Sequence, residues 1–415
     1  MPSTPLQRPG GRVGIAMALG AGVVLLAASC AGSGSPVATG IPGSPTRTTA
    51  TPTVTPPTIA TVAPTAPATT PSKPGTWALL PRSPLSGALY QRAGVWDGTR
   101  MLIAGRVTLE KAPYVRDVLA AYDPATDSWQ QLQGAPGPEG NFEGGDRAVW
   151  DGTEMLLWGV TNTAYNPRTK AWRTLPDPPA GDGGPSVVVW TGTQMIGWGG
   201  GCCGDADADG AAYTPATNSW SKLPASPLSG RHTMGAWTGR ELLIVGGEGA
   251  YPGKALADGA AYNPRTHSWR KLPDMPVARS WGTAVWDGTE LLVVGGSGGP
   301  PSNSLLARGV AYSPKTNTWR WLPPMAYPRI GHVAVWTGTL LLVWGGTTKS
   351  AGQDVTPPHG EAYDPTSNTW AAMPKAPLRG RSQAIAVWTG SAMIVWGGEN
   401  SQGLRLDGAA YTPGV

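Results

Sequence analysis

From residue 76 onward, the apolar residues of this chain fall into short runs separated by turns rich in Gly, Pro and Asp. In TAVWDGTELLVVGG, residues 283–296, one apolar run ends in Trp, an Asp-Gly turn follows, and a second apolar run ends in glycines. Two such runs joined by Asp-Gly predict a β-hairpin. The same pattern recurs around Trp96, Trp150, Trp190, Trp237, Trp286, Trp336 and Trp388. The sequence therefore predicts seven copies of one hairpin.

A second pattern follows each hairpin and predicts two further strands. In GAAYNPRTHSWRKLP, residues 259–273, the Tyr ends a third strand, the Asn-Pro order begins a type I turn, and the Trp lies in a fourth strand. The tyrosines recur at 122, 165, 213, 262, 312, 363 and 411, and the tryptophans at 129, 172, 220, 269, 319 and 370. Four antiparallel strands in about 48 residues match the period of a propeller blade.

Paired glycines followed by Tyr and then Trp at these spacings resemble kelch repeats, as in the kelch β-propellers and the central domain of galactose oxidase. The resemblance extends over residues 76–413. It implies an all-β fold, a seven-bladed propeller with four antiparallel strands in each blade. The last copy stops after Tyr411 without its Trp strand, whereas TWALLP, residues 76–81, is a Trp strand with no strands before it. We therefore expect this N-terminal strand to pair with the C-terminal blade and close the ring.

The N-terminal residues have the order of a targeting segment. Arg8 and Arg12 precede the apolar residues 13–29, and the segment ends in LAASC at Cys30. LAASC resembles a bacterial lipobox, which implies cleavage after residue 29 and lipidation of Cys30. An ordinary secretory signal with a chance cysteine is the alternative. We expect residues 1–29 to be a lipoprotein signal peptide, and the protein to be extracytoplasmic and anchored to the outer face of the cytoplasmic membrane.

Residues 30–75 contain the lipid-anchor Cys30 and a segment of Thr, Pro, Ala, Ser and Gly, in which Arg47 and Lys73 are the only charged residues. Such a composition offers too little apolar surface to offset the entropy of ordering. We expect a disordered tether that presents a propeller formed by residues 76–415.

Composition and charge argue against several classes of partner. The net charge of +5 is not concentrated in a Lys/Arg patch with interleaved aromatics, so we expect no nucleic-acid partner. The copper site of galactose oxidase needs an adjacent Tyr-His pair, which this chain lacks. DADADG, residues 205–210, resembles a calcium loop but has no carboxylate at the ninth or twelfth position. We therefore expect no cofactor and no metal.

The candidate binding residues come from the segments that vary between repeats. In an antiparallel blade, the loop from the second to the third strand and the link to the next blade share one face. Because these segments escape the constraints of the repeat, they can carry binding residues. The aromatics, cations and cysteines that we assign to this binding face are Tyr90, Tyr114, Phe142, Cys202, Cys203, Tyr251, Trp281, Tyr327, Arg279, Arg329 and Arg381.

Two of these residues, Cys202 and Cys203, are adjacent in GGGCCGD, residues 199–205. Outside the cytoplasm such thiols oxidise, but neighbouring α-carbons lie about 3.8 Å apart, which is closer than an ordinary disulfide prefers. The sequence is compatible with a strained disulfide bond and with two free thiols.

These features predict a membrane-anchored binding module for a carbohydrate or protein ligand of the cell envelope. An extracytoplasmic carbohydrate-active enzyme, mutarotase-like or hydrolase-like with its active site in the propeller funnel, is the alternative, because propellers host many chemistries. A structural or scaffolding role is a third possibility. We expect binding rather than catalysis.

Replacing Cys30 with Ser should release the protein from the membrane fraction or leave its signal peptide uncleaved, because serine cannot accept the thioether-linked lipid. Membrane fractionation and mass spectrometry of the N-terminus measure both effects. A Cys30→Ser protein that is cleaved and still retained on the membrane would show that Cys30 is not the anchor.

Overall fold

The computed structural model describes residues 74–87, 89–108, 115–135, 147–159, 162–179, 184–201, 205–250, 253–299, 304–350 and 352–414. The predicted signal peptide, Cys30 and nearly all of the predicted tether lie outside the described residues. Within these ranges every regular element is a β-strand except a single 3-10 turn at Pro215–Thr217.

None of the helices in the described part of the chain has the length and apolar character that a membrane span requires.

Seven sheets of four antiparallel strands form the fold, as the repeat predicts. The N-terminal strand β1 (Thr76–Leu79) precedes blade 1, which contains β2 (Leu89–Trp96), β3 (Met101–Thr108), β4 (Val115–Asp123) and β5 (Ser128–Leu132). Blade 2 contains β6 (Arg147–Trp150), β7 (Met155–Trp158), β8 (Thr163–Asn166) and β9 (Ala171–Thr174). Blade 3 contains β10 (Val187–Trp190), β11 (Met195–Trp198), β12 (Gly210–Thr214) and β13 (Ser219–Lys222).

The remaining blades repeat this order. Blade 4 contains β14 (His232–Trp237), β15 (Leu242–Glu248), β16 (Gly259–Asn263) and β17 (Ser268–Leu272). Blade 5 contains β18 (Ser280–Trp286), β19 (Leu291–Ser297), β20 (Arg308–Ser313) and β21 (Thr318–Pro324). Blade 6 contains β22 (Val333–Trp336), β23 (Leu341–Trp344), β26 (Gly360–Asp364) and β27 (Thr369–Ala372), with the small ladder of β24 (Thr348–Ser350) and β25 (Gln353–Val355) in its loop.

Blade 7 is built from both ends of the described chain. It contains β28 (Ile385–Trp388), β29 (Met393–Trp396) and β32 (Gly408–Thr412), and the ladder of β30 (Glu399–Asn400) and β31 (Gly403–Leu404) lies in its loop. Strand β1 is its fourth strand and pairs with β32, so that Trp77 lies opposite Tyr411. The first strands of neighbouring blades contact one another around the ring, including those of blades 1 and 7. The sheets therefore form a closed β-propeller.

The turn from the first to the second strand is fixed by one side chain. In blade 1 the Asp97 carboxylate accepts hydrogen bonds from the backbone N–H of Thr99 at 2.9 Å and of Arg100 at 2.7 Å. Gly98 between them has a φ of 98°, which a residue with a side chain rarely adopts. Thr takes the place of Asp in other copies, as in Thr238, whose hydroxyl accepts from the backbone N–H of Glu241. An Asp or Thr followed by Gly therefore fixes this turn in every blade.

The propeller has two faces with different constraints. The turns between strands 1 and 2 and between strands 3 and 4 lie on one face, which we call the turn face. The loops between strands 2 and 3 and the links between blades lie on the other, which we call the loop face. The loop of blade 1 is more regular than the sequence predicts, because β3 and β4 remain paired from Met101↔Tyr122 to Thr108↔Val115. Blade 1 has only Gly105 where blades 3 to 7 have a glycine pair, so no pair of glycines interrupts this ladder.

Deleting residues 76–82 should unfold the whole propeller at a lower temperature than the parent protein. The deletion exposes the edge of β32 and removes Trp77, whose indole N–H donates to the carbonyl of Pro374 at 2.9 Å, and Pro81, whose carbonyl accepts from Trp129 at 3.0 Å. Deleting residues 35–70 is the control and should leave the melting temperature unchanged. Calorimetry compares the two truncated proteins, and equal melting temperatures would contradict the role of β1.

Candidate functional site on the loop face

The loop face carries the candidate binding residues that the structure describes. Tyr90 lies in β2 opposite Arg106, at the start of the first strand of blade 1. Trp281 and Tyr327 lie where the chain enters blades 5 and 6, and Arg279, Arg329 and Arg381 lie at the entries to blades 5, 6 and 7. Tyr114, Phe142, Cys202, Cys203 and Tyr251 lie outside the described residues.

The three candidate arginines are buried side chains that link parts of their own blades. Arg279, Arg329 and Arg381 are each 0% exposed. Arg329 is representative, because its guanidinium donates to the carbonyl of Gly345 at 2.8 Å and of His359 at 3.0 Å. These bonds join the link that enters the blade to the loop between its second and third strands. In the described structure, the arginines therefore support the loop face from beneath and are not exposed on it.

A fourth arginine, Arg231, occupies the same position in blade 4 and is 1% exposed. Sequence reasoning missed it, although each of the four arginines stands six or seven residues before the Trp that ends the first strand. That spacing is the signal that could have identified all four as part of the repeat.

Three of these arginines form ion pairs within their blades. Arg231 donates to Asp258 at 2.5 Å, Arg329 to Glu361 at 3.0 Å, and Arg381 to Asp407 at 2.6 Å. The hydrogen bond from Arg231 lowers the pKa of Asp258. Burial by itself would raise the pKa of Asp407, but the hydrogen bond and charge of Arg381 outweigh burial and lower it. Both carboxylates are therefore ionised at neutral pH.

Trp281 combines exposure with an unfavourable backbone conformation. Its side chain is 55% exposed, and its φ is 59°, in the left-handed region. The corresponding residue of blade 6 is Gly331 with a φ of 62°, and that of blade 7 is Gln383 with a φ of 53°. A bulky side chain rarely adopts this conformation, which costs about 1–3 kcal/mol. Blade 5 therefore keeps a solvent-exposed indole where the next blade has a glycine.

Tyr327 provides a second exposed aromatic ring on the same face. It is 41% exposed and stacks on His359, with ring centroids 5.7 Å apart and an angle of 15° between the planes. Its backbone N–H donates to Glu361 at 3.3 Å, and its carbonyl accepts from Arg329 at 3.0 Å. The buried Arg329–Glu361 pair thus fixes the position of this ring.

His332 lies beneath these residues, at the boundary of blades 5 and 6. Its Nε2 is 2.8 Å from the hydroxyl of Thr283, and its Nδ1 has no hydrogen-bond partner within the described ranges of the chain. Burial lowers the pKa of His332 to about 3, and the charges of Arg329 and Arg279 lower it further. The imidazole is therefore neutral in the folded protein at neutral pH, and it packs within the ring.

The part of the chain described here contains no group of three or more His, Cys, Asp or Glu side chains that could hold a metal ion. We name Arg279, Trp281, Tyr327, Arg329, His332, His359 and Glu361 the blade 5–6 cluster. It places two exposed aromatic rings above buried arginines, which suits the binding of a ligand at the surface.

The Kelch motif family model matches residues 238–276 and 283–326, which cover most of blades 4 and 5. A search of curated proteins returned no match. Together with the seven four-stranded blades, the matched repeats identify the chain as a kelch-repeat β-propeller. Such a propeller is in general a module for interaction with a protein or another ligand.

Because of His332, the free energy of unfolding should be lower in mild acid than at neutral pH. The unfolded chain takes up a proton below the ordinary pKa of 6.5, whereas folded His332 does so only near pH 3. The unfolded state therefore binds more protons, and the free energy of unfolding should fall by roughly 2 kcal/mol between pH 7 and pH 5. Denaturant unfolding measures this change, and the His332→Gln variant should not lose this free energy of unfolding between pH 7 and pH 5.

The control is His267→Gln, because His267 lies exposed in a turn on the opposite face. It should retain the pH dependence of the parent. An identical pH dependence in His332→Gln and the parent protein would contradict the assignment.

Proposed function

We propose that this protein binds a carbohydrate chain of the cell envelope through the blade 5–6 cluster. We further propose that a lipid on Cys30 holds it on the outer face of the cytoplasmic membrane, with residues 30–75 as the tether. The observation that carries the binding proposal is Trp281, an exposed indole in a left-handed conformation. Strain that adds nothing to packing is characteristic of functional sites.

The two exposed rings favour a carbohydrate ligand. Trp281 and Tyr327 each present a flat apolar surface with a polar edge at the solvent. A sugar ring has a matching apolar face and hydroxyl groups around its rim. The Tyr327 ring is held in position before binding by Arg329, Glu361 and His359, and the backbone of Trp281 is part of strand β18. Such preorganisation reduces the entropy that binding must overcome.

Binding fits the chemistry of this cluster better than catalysis. The buried arginines donate to backbone carbonyls, as Arg329 does to Gly345 and His359. His332 is buried with a pKa of about 3, so it cannot exchange protons near neutral pH. The groups that remain at the surface are aromatic.

The test uses the full-length protein in detergent on a glycan array and on cell-envelope preparations. We expect Trp281→Asn and Tyr327→Leu each to weaken binding at least tenfold, because removing one aromatic anchor typically costs more than about 1.4 kcal/mol. Trp281→Asn should not lower the melting temperature, since Asn tolerates the left-handed conformation.

The matched control is Arg265→Ala, an exposed residue on the turn face, which should bind as the parent does. Glycosidase treatment of the envelope should abolish binding, whereas protease treatment should not. Unchanged binding by both aromatic variants would contradict the proposed site, and binding that only protease abolishes would identify a protein ligand instead.

A further inference from the structure

In three of the four blades that contain a buried arginine at the blade entry, its carboxylate partner stands next to the Gly that begins the third strand. Asp258 precedes Gly259 in blade 4, Glu361 follows Gly360 in blade 6, and Asp407 precedes Gly408 in blade 7. In blade 5 the residue before Gly309 is Arg308. A cation therefore stands in the sequence where blades 4 and 7 have an anion, whereas blade 6 has His359 at this position and its acid, Glu361, two residues later.

Two of the backbone acceptors around Arg279 are equivalent to those of blade 7. Its guanidinium donates to the carbonyl of Gly295 and, at 2.7 Å, to that of Arg308. The equivalent acceptors for Arg381 in blade 7 are the carbonyls of Gly397 and Asp407. Among the described residues, blade 5 thus keeps these two backbone acceptors but lacks both the carboxylate and the bond from the arginine Nε, which in Arg231, Arg329 and Arg381 donates to the carbonyl two residues earlier.

Arg279 has no countercharge in the described part of the chain, where neither it nor Arg308 forms an ion pair. Its Nε has no hydrogen-bond partner among the residues that the structure describes, although the side chain is 0% exposed. The loop at 298–307 contains no Asp or Glu that could approach it. Burial lowers the pKa of Arg279 to about 10, so the guanidinium is still charged at neutral pH. A buried charge without a partner is unfavourable and creates a demand for an anion.

The side chain of Arg308 does not supply a substitute for the missing carboxylate. It turns toward the outer strand, where its Nε donates to the carbonyl of Leu322 at 3.4 Å and its guanidinium lies 5.0 Å from the centre of the Trp321 ring. Blade 5 therefore has a second positive charge, on Arg308, in place of a countercharge for Arg279.

In blades 4 and 7 the carboxylate can be reached from solvent, whereas Glu361 in blade 6 is only 4% exposed. In blade 4 the side chain of Arg231 is 1% exposed, but its partner Asp258 is 42% exposed. In blade 7 Arg381 is 0% exposed, whereas Asp407 is 57% exposed. A carboxylate at the surface of the loop face can thus bond to a guanidinium that is itself buried.

We propose that blade 5 carries an open carboxylate position at Arg279, which a carboxylate of the ligand occupies. This inference rests on the proposed carbohydrate-binding function and deepens it. Trp281 is only two residues from Arg279, so a ligand with a sugar ring on the indole and a carboxylate at Arg279 is an acidic carbohydrate of the uronic acid type. The arginine supplies charge recognition, and the indole supplies the apolar contact.

Arg308→Asp tests the proposal by supplying the missing carboxylate from the chain itself, as Asp258 and Asp407 do. The full-length protein in detergent is melted with glucuronate or with glucose at constant ionic strength. For the parent, glucuronate at about ten times its dissociation constant should raise the melting temperature by roughly 2–4 °C, and glucose should not. Arg308→Asp should melt higher without any additive and should not respond to glucuronate.

A parent protein that does not respond, or an Arg308→Asp protein that responds like the parent, would overturn the proposal. Asp258→Ala in blade 4 is a second variant, which opens an equivalent position at Arg231. It should melt lower than the parent and should respond more strongly to glucuronate, because it has two open positions. A response equal to that of the parent would also contradict the proposal.

These outcomes separate the inference from the proposed function. If the parent protein does not respond to glucuronate but the Trp281 and Tyr327 variants lose envelope binding, the proposed binding function is supported and the carboxylate position is not. Conversely, a glucuronate response that Arg308→Asp removes supports the carboxylate position even if the aromatic variants bind the envelope normally.

Discussion

The ring depends on one hydrogen bond that is repeated at every boundary between blades. The indole N–H of each fourth-strand Trp donates, at 2.7–3.0 Å, to a backbone carbonyl at the end of the outer strand of the preceding blade. The pairs are Trp77–Pro374, Trp129–Pro81, Trp172–Gln133, Trp220–Pro176, Trp269–Pro224, Trp319–Pro273 and Trp370–Pro323. Each bond contributes only about 1 kcal/mol net, but each also fixes the angle between two blades. Because β1 supplies Trp77 and is followed by Pro81, the series closes without a gap.

A second set of contacts between the blades lies toward the turn face. Each of these tryptophans packs on the third-strand Tyr opposite it, as Trp269 does on Tyr262 with ring centroids 5.0 Å apart. Toward the turn face, Arg270 bonds to Glu241 in its own blade and to Tyr312 in the next, and its pKa is raised by the bond to Glu241 despite burial. With the blades held in this way, the loop face can vary and can hold a strained residue such as Trp281.

The fold could be predicted from the sequence because its determinants are local and recur. Apolar runs, turn residues and the Tyr and Trp positions each appear in a short window, and seven copies average out the degenerate ones. The site could be predicted only in part. Trp281 and Tyr327 were recognisable as aromatics outside the repeat, but the burial of Arg279, Arg329 and Arg381 depends on glycine carbonyls 16 residues away along the chain. The stacking of Tyr327 on His359 likewise joins residues from different strands and loops, so no local pattern could reveal it.

A repeat protein provides its own comparison for every unusual residue. Gly331 shows which residue suits the backbone at Trp281, and Asp407 shows which charge suits the position of Arg308, because the carbonyls of residues 308 and 407 both accept a bond from the buried arginine of their blade. Where two blades share backbone geometry, a difference between them can be attributed to the side chain. Both departures occur in blade 5, on the same face, at residues whose chemistry is complementary to a ring that carries an anionic group. The stability of the propeller explains neither Trp281 nor Arg308, since each stands where a related blade has a residue that is more favourable for the fold.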